Sequence, residues 1–207
     1  KIGATGPDRI TFLHSMISND VGELVELAGR YGTLLTAWGK IVADFFYYKL
    51  PETLLVDVSK DLLPVMKETL EKYIIMDEVE LEDLSAQGAH FSLQGPRAAD
   101  LVENIFGVSI TNEPYRVREV DWEGSSLWLI AKPELAESGC ELILSAVIVD
   151  SLKEAILREG DSLGLAEIFR EAQNILRLEA SIPWYGEDMD ENRYPMEARL
   201  ETAISLT

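Results

Sequence analysis

Cysteine and histidine are scarce in this sequence. Cys140 is the only cysteine among the 207 residues, and His14 and His90 are the only histidines. A single cysteine cannot form an internal disulfide, which is typical of proteins in a reducing compartment. One cysteine and two scattered histidines are too few for a zinc site built from the usual ligands, so we expect no metal centre. The same scarcity argues against a Ser-His-Asp triad.

Long apolar runs and positive charges are scarce as well. No apolar run in the sequence approaches the ~18 residues that a membrane-spanning helix needs. The 37 acidic residues outnumber the 18 basic ones, and the formal net charge is −19. A field of this sign repels nucleic acids and anionic lipid surfaces, so we expect neither as a partner. The composition therefore predicts an acidic globular protein of the cytoplasm.

Hydrophobic patterning predicts an α+β fold with antiparallel sheets and flanking helices. Segments that are rich in β-branched and aromatic residues, or that alternate in hydrophobicity, predict strands at residues 31–37, 41–50, 53–58, 78–84, 89–93, 116–122, 126–131 and 141–145. Helical spacing and capping signals predict helices at residues 7–18, 21–27, 60–73, 95–107, 147–159 and 165–180. The order strand, strand, helix, strand appears twice, which favours two halves of similar build.

One acidic residue lies inside the segment with the strongest β-forming character. Because alternate residues of a strand share a face, Asp44 lies with Val42 and Phe46 on one face, while Ala43 and Phe45 lie on the other. A carboxylate among apolar neighbours is desolvated, which raises its pKa unless hydrogen-bond donors reach it. The pattern fits a functional carboxylate, and it equally fits an edge-strand Asp that reaches water.

A second carboxylate ends the last predicted helix. Glu179 follows an apolar run and lies just before Pro183. A negative charge at this end of a helix opposes the helix dipole, so the residue is either an exposed terminal side chain or one kept for a function. The acidic residues at 187–191 do not follow the spacing of an EF-hand loop, and we interpret them as a solvated loop.

Five short motifs occur along the chain in a characteristic order. They are GPD, FL and SNDV at 6–8, 12–13 and 18–21; YGTLLT and GKIVAD at 31–36 and 39–44; LQGPRAA at 93–99; GCEL at 139–142; and RLEA at 177–180, followed by Pro183, Tyr185, Gly186, DM at 188–189 and PMEA at 195–198. Together they resemble the folate-binding domain of the glycine-cleavage T-protein superfamily. The resemblance covers nearly the whole chain.

Within this superfamily the sequence leans to the YgfZ-type branch of folate-binding iron–sulfur cluster maintenance proteins. T-proteins usually carry two adjacent acids at the hairpin, where this sequence has Ala43 and Asp44, and a glycine after RLEA, where it has Ser181. The residues at 195–200 resemble the lead into the branch's KGCYxGQE motif, which would lie beyond Thr207. We also expect the superfamily's C-terminal barrel to be absent from this chain.

The resemblance implies a fold and a binding site. It implies one folate-binding domain over residues 1–207, built from two interlocked subdomains at about residues 1–110 and 111–207, with tetrahydrofolate bound in a central opening. Glu179 would accept hydrogen bonds from the paired donors of the pterin, as carboxylates do with a guanidinium fork. Asp44 would lie near the reactive end of the folate, and Tyr185 or Tyr31 would supply an aromatic wall. The folate tail would meet one of three arginines, between which the sequence does not choose: Arg97, Arg116 or Arg118.

The resemblance also implies two alternative functions. The first is a tetrahydrofolate-binding protein that supports iron–sulfur cluster assembly or repair, with an iron–sulfur protein as partner. The alternative is an aminomethyltransferase of the glycine cleavage system, which takes its substrate from a lipoyl-carrier protein and uses Asp44 as a catalytic residue. The sequence does not decide whether the protein is an enzyme. If it is one, it would be this folate-dependent aminomethyltransferase or a related one-carbon transferase.

Overall fold

The computed structural model describes residues 1–134 and 138–205, and the elements named below lie within these ranges. The strands are β1 (Ile2–Thr5), β2 (Ala28–Leu35), β3 (Ile41–Lys49), β4 (Leu54–Val58), β5 (Glu80–Asp83), β6 (Gly88–Gln94), β7 (Val117–Trp122), β8 (Ser125–Ala131) and β9 (Gly139–Ser145). The helices are α1 (Arg9–Met16), α2 (Leu63–Glu71), α3 (Ala98–Phe106), α4 (Val149–Asp161) and α5 (Arg170–Glu179). Short 3₁₀ turns lie at Ala146–Ile148, Pro195–Ala198 and Glu201–Ala203. Among the described residues, no helix is long and apolar enough to cross a membrane.

The chain forms two compact units. The first unit combines Lys1–Ser85 with Pro183–Thr207, and the second unit is Ala86–Ile182. The first unit is therefore discontinuous in sequence, because the whole second unit is inserted between its two parts. The boundary that we expected near residue 110 falls inside the second unit, in the loop that follows α3.

A five-stranded sheet forms the framework of the first unit. Its strand order is β2-β3-β4-β1-β5, and every neighbouring pair is antiparallel. The patterning of the sequence did not reveal β1, which has only four residues. Its place is fixed by pairing with β4 on one side and β5 on the other, and Ile2 and Ala4 are completely buried.

The main core of the first unit lies on one face of this sheet. Helices α1 and α2 contribute buried side chains to it, among them Leu13 and Met66, which meet Phe45 and Tyr47 of β3 in one apolar cluster. The helix predicted at residues 21–27 is wrong, since this segment forms turns. Its main chain bonds to Lys49 instead of forming a helix. The Lys49 ammonium donates to the Leu24 carbonyl at 2.8 Å, and the Leu27 N–H donates to the Lys49 carbonyl at 2.7 Å.

A four-stranded antiparallel sheet forms the second unit. Its strand order is β6-β9-β8-β7, and α3 and α4 contribute to the apolar core beside it. Cys140 of β9 lies completely buried in that core, where burial raises the pKa of its thiol to about 12. The α+β class that the sequence predicts, with two antiparallel sheets and flanking helices, is confirmed.

Helix α5 ends in a tight left-handed turn. Ser181 has φ +59°, its N–H donates to the Leu178 carbonyl at 3.1 Å, and the Ile182 N–H donates to the Arg177 carbonyl at 2.8 Å. These two bonds define a Schellman motif, in which the left-handed residue is usually glycine because a Cβ is disfavoured there. A glycine, which T-proteins usually carry at this position, would adopt the left-handed conformation without the penalty of a Cβ.

Replacing Ser181 by Gly should stabilise the protein. The left-handed conformation costs a residue with a side chain about 1–2 kcal/mol, and the added entropy of glycine in the unfolded chain costs about 0.5–1 kcal/mol. The free energy of unfolding in urea should therefore rise by about 0.5–1 kcal/mol. Ser162, at the end of α4, has φ −67° and provides the control, since Ser162→Gly should bring no gain. Equal effects of the two substitutions would contradict the explanation.

Candidate functional site

The two faces of β3 differ in their environment. Ala43, Phe45 and Tyr47 are buried in the main core of the first unit, whereas Asp44 and Phe46 on the opposite face are only half-buried. The alternation predicted from the sequence holds from Ala43 to Tyr47, and it places the carboxylate of Asp44 on the more open face. It fails for Val42, which packs against the main core, because the register shifts by one residue between Ala43 and Ile41. The more open face is where a ligand could reach the strand.

The C-terminal segment at 183–205 covers part of that open face. Met189, Leu200 and Ala203 of this segment form a second apolar cluster of the first unit with Ile41 of β3, and Tyr31 packs against the cluster. The main chain is tied in as well, since the Ile41 N–H donates to a carbonyl of the segment at 3.0 Å. The segment thereby covers the end of the face at Ile41, while Asp44 stays half-buried.

The SNDV motif anchors this covering segment. The Asn19 side-chain amide donates to the Tyr31 carbonyl of β2 at 2.9 Å and to the Thr202 carbonyl at 3.0 Å. The Ser18 hydroxyl donates to the Ala203 carbonyl at 2.6 Å. The side chains of Ser18 and Asn19 thus connect the sheet to the C-terminal segment. These hydrogen bonds explain why polar residues occupy two mostly buried positions.

A tyrosine holds the Asp44 carboxylate in place. The Tyr31 hydroxyl donates a hydrogen bond of 2.7 Å to Oδ2 of Asp44. Tyr31 pairs with Phe46 across β2 and β3, and their rings lie 4.8 Å apart. Asp44 is therefore the diagonal neighbour of Tyr31 on the same face, a distance that an aromatic side chain can span.

Tyr185 packs against the same apolar cluster as Tyr31. Burial raises the pKa of its phenol, and the negative charges of Glu191, Asp190 and Asp44 raise it further. The loop that carries Tyr185 is a tight turn, in which the Gly186 N–H donates to a carbonyl three residues on at 2.7 Å. The structure thus brings together three of the four predicted site residues, namely Asp44, Tyr31 and Tyr185, in an acidic setting lined by tyrosines.

The fourth predicted site residue, Glu179, belongs to the second unit. It is the last residue of α5, and its side chain is exposed. Its proposed contact with folate stays a prediction. The three candidate arginines also lie in the second unit: Arg97 pairs with Asp100, Arg116 lies 3.9 Å from Glu113, and Arg118 donates to a carbonyl at 3.5 Å. These contacts do not single out one of them.

A buried ionic cluster in the second unit was missed by the sequence analysis. Lys132 Nζ lies 2.7 Å from Oε1 of Glu141 and 2.8 Å from Oε1 of Glu134, and Nε2 of His90 lies 3.1 Å from Oε2 of Glu141. Burial raises the pKa of Glu141, but the hydrogen bond from His90 and the charge of Lys132 outweigh it and lower the pKa to about 2. The signal that could have revealed it is the charge inside the apolar strand β9, the same signal that drew attention to Asp44.

A solved structure has a similar fold. The crystal structure of the glycine cleavage system aminomethyltransferase T from Bartonella henselae superposes with a TM-score of 0.85 at 26% sequence identity. The superposition covers 99% of this chain and 55% of that chain. The chain therefore has the T-protein fold, as the ordered motifs indicated.

The family follows from the sequence comparisons. The model of the family described as the GCVT N-terminal domain matches residues 1–207, and the chain belongs to this family. The aminomethyltransferase of Prosthecochloris aestuarii is 28% identical over 199 residues, which are 94% of this chain and 55% of that protein. The aminomethyltransferase of Symbiobacterium thermophilum is 29% identical over 211 residues, with 97% and 56% covered. The chain spans about half the length of the curated relatives it matches.

Proposed function

We propose that this chain is the folate-binding part of an aminomethyltransferase that uses tetrahydrofolate. The observation that carries the proposal is the Asp44 carboxylate, held by the hydroxyl of Tyr31 on the more open face of β3, with Tyr185 packed against the same apolar cluster as Tyr31. The relatives reported above are named aminomethyltransferases, which supports this function over iron–sulfur maintenance. The donor of the aminomethyl group would be a lipoyl-carrier protein.

The chemistry of the site suits an amine substrate. A carboxylate has two oxygens with several lone pairs, so one that accepts a hydrogen bond from a tyrosine can also accept an N–H from an amine, orient that amine and assist its proton transfer. Asp190 and Glu191 add negative charge near Tyr185, so the local field favours a cationic amine over an anion. The role that we assign to Asp44 is therefore catalytic, with Tyr31 holding its carboxylate.

Tetrahydrofolate would be bound by both polar and aromatic groups. Glu179 would accept the paired donors of the pterin, and the Tyr185 ring would provide a wall. The Tyr31 ring already packs on Phe46 and its hydroxyl is engaged by Asp44, so we assign the wall to Tyr185 in preference to Tyr31.

Iron–sulfur cluster maintenance is the second candidate function. It was favoured by two departures from T-proteins, Ala43 and Ser181, and the structure gives both a physical setting. Ala43 is completely buried in the main core of the first unit, on the face opposite Asp44, and Ser181 occupies a left-handed backbone position. Both departures therefore affect packing and backbone conformation, which weakens them as indicators of a different function.

An assay of aminomethyl transfer on the full-length protein tests the proposal. The protein would be mixed with the aminomethylated lipoyl-carrier protein and tetrahydrofolate. The loss of the aminomethyl group from the carrier protein would be measured over time. We expect turnover that requires folate. If the protein binds tetrahydrofolate but does not turn over, the accessory role in iron–sulfur maintenance is the better assignment.

Replacing Glu179 by Ala should weaken the binding of tetrahydrofolate. A lost hydrogen bond to a charged group costs about 1.5–3 kcal/mol, so the dissociation constant should rise by about 10- to 100-fold in calorimetric titrations. Glu171 lies exposed in the first turn of the same helix, and Glu171→Ala serves as the matched control with unchanged affinity. An unchanged dissociation constant for the Glu179 variant would refute its assignment to the pterin.

A further inference from the structure

In helix α5 a charged residue is buried while apolar residues are exposed. Among the residues of this helix, all of which the structure describes, Arg177 is the buried one, with 3% of its surface exposed. Ile175 and Leu178 on either side are 60% and 55% exposed. Charged side chains are almost never buried without partners that repay their desolvation. The contacts of Arg177 should therefore indicate why it is buried.

The Arg177 guanidinium ties the helix to the chain that follows it. Nε donates to Oδ1 of Asn174 at 2.7 Å, one turn earlier, and Nη1 donates to the Ile182 carbonyl at 3.2 Å. In return, the Ile182 N–H donates to the Arg177 carbonyl at 2.8 Å. One residue thus bonds Ile182 through both its side chain and its main chain, and the side chain is braced against the preceding turn.

The segment closed by these bonds contains Glu179. Its neighbours Ala180 and Ser181 complete the turn with main-chain bonds to Leu176 and Leu178 at 3.0 and 3.1 Å. The Glu179 side chain itself is exposed, so what the backbone fixes is the position from which the carboxylate reaches a ligand. The last turn of a helix frays when its carbonyl groups lack partners, and a frayed end would let the carboxylate take many directions.

We propose that Arg177 is a positioning residue that fixes the end of α5 and thereby presents the Glu179 carboxylate in one direction to the ligand. This inference rests on the proposed function, in which Glu179 accepts the donors of a pterin. A carboxylate held in its bound direction loses less entropy on binding, so affinity improves without any new contact. A guanidinium suits the task because its rigid fork meets two acceptors at once, which a lysine ammonium on a flexible stem does not reproduce.

A double-mutant cycle on the full-length protein tests the inference, with tetrahydrofolate as the titrant in a calorimeter. The variants are Arg177→Lys, Glu179→Ala and the double substitution. We expect Arg177→Lys alone to raise the dissociation constant by about 5- to 10-fold, and to have no further effect once Glu179 is Ala, because coupled residues are not additive. Ile156→Val, a buried change in α4, is the control for lost stability and should leave the affinity unchanged.

The possible outcomes distinguish a positioning role of Arg177 from a merely structural role. If Arg177→Lys weakens binding equally with and without Glu179, the residue is merely structural and the inference fails, as it also does if the affinity is unchanged. If Arg177→Lys lowers stability too far, the substitution is repeated with Glu123→Gly, at an exposed left-handed position in the turn between β7 and β8, which should restore stability but not affinity. An unchanged affinity of Glu179→Ala would overturn the ligand role of Glu179 and this inference together, while the transfer assay would still test the proposed function separately.

Discussion

Replacing Asp44 by Asn should reduce the rate of aminomethyl transfer by about 10²- to 10⁴-fold, the range that a positioned acid–base group contributes. Asn has the same shape and keeps an oxygen that can accept the hydrogen bond from the Tyr31 hydroxyl, so the fold should be preserved. What the substitution removes is the negative charge and the ability to accept a proton. Both are needed to orient a cationic amine and to assist its proton transfer.

The measurement is the single-turnover rate of the full-length protein with saturating tetrahydrofolate. Saturation separates the chemical step from folate binding, which a calorimetric titration of the same variant would report. Asp83, an exposed residue of β5, provides the matched control, and Asp83→Asn should leave the rate unchanged. A rate for Asp44→Asn within threefold of the unaltered protein would remove Asp44 from the catalytic role, whatever its effect on binding.

Replacing Lys132 by Met should lower the free energy of unfolding by about 3–5 kcal/mol, the cost of leaving a buried charge without its partner. The side chains of Lys132 and Glu141 are 5% and 4% exposed, and their charged atoms lie 2.7 Å apart. Met fills much of the space of the lysine stem, so the loss arises from the Glu141 carboxylate, which keeps its contact with His90 but loses the lysine charge. Lys153→Met, which breaks an exposed pair with Glu167, should cost less than about 1 kcal/mol.

The same pair makes stability depend on pH. The folded-state pKa of Glu141, about 2, lies below its ordinary value of 4.5, so the pair stabilises the protein fully above that ordinary value. The contribution is lost as the pH falls through about 2. In Lys132→Met the carboxyl is protonated more readily, and the loss should move to higher pH in acid titrations followed by circular dichroism. A second substitution, Glu141→Leu, should recover much of the stability of Lys132→Met, and failure to do so would contradict the explanation.

The elements that the sequence predicts well are those with a strong local signal. Strand β3 carries a run of β-branched and aromatic residues, and α2 and α4 repeat apolar residues at helical spacing, so their existence follows from the pattern. Strand β1 has no such signal, and the helical signal of the segment at 21–27 was misleading. The first is held by pairing on both edges, and the second by bonds to Lys49, and both depend on residues distant in sequence.

The site was partly predictable for the same reason. Alternation along β3 places Asp44 and Phe46 on one face, but both faces of the strand are apolar, so the pattern could not tell which face is the core. The structure decides it, because the segment at 183–205 covers one end of the more open face. The hydrogen bond from Tyr31 and the pairing of Lys132 with Glu141 depend on strand register and side-chain direction, which spacing alone does not supply.

The discontinuity of the first unit has a consequence for its biosynthesis. The segment that covers β2 and β3 and supplies Tyr185 is synthesised only after the whole second unit. Until then, apolar side chains such as Ile41 and Leu35 lack the cluster that buries them, while the second unit already has its complete sequence. Contacts between such distant parts of a chain form slowly and leave apolar surface open in the meantime. The nascent chain therefore passes through a stage in which the face of β3 that carries Asp44 exposes apolar side chains that are later covered.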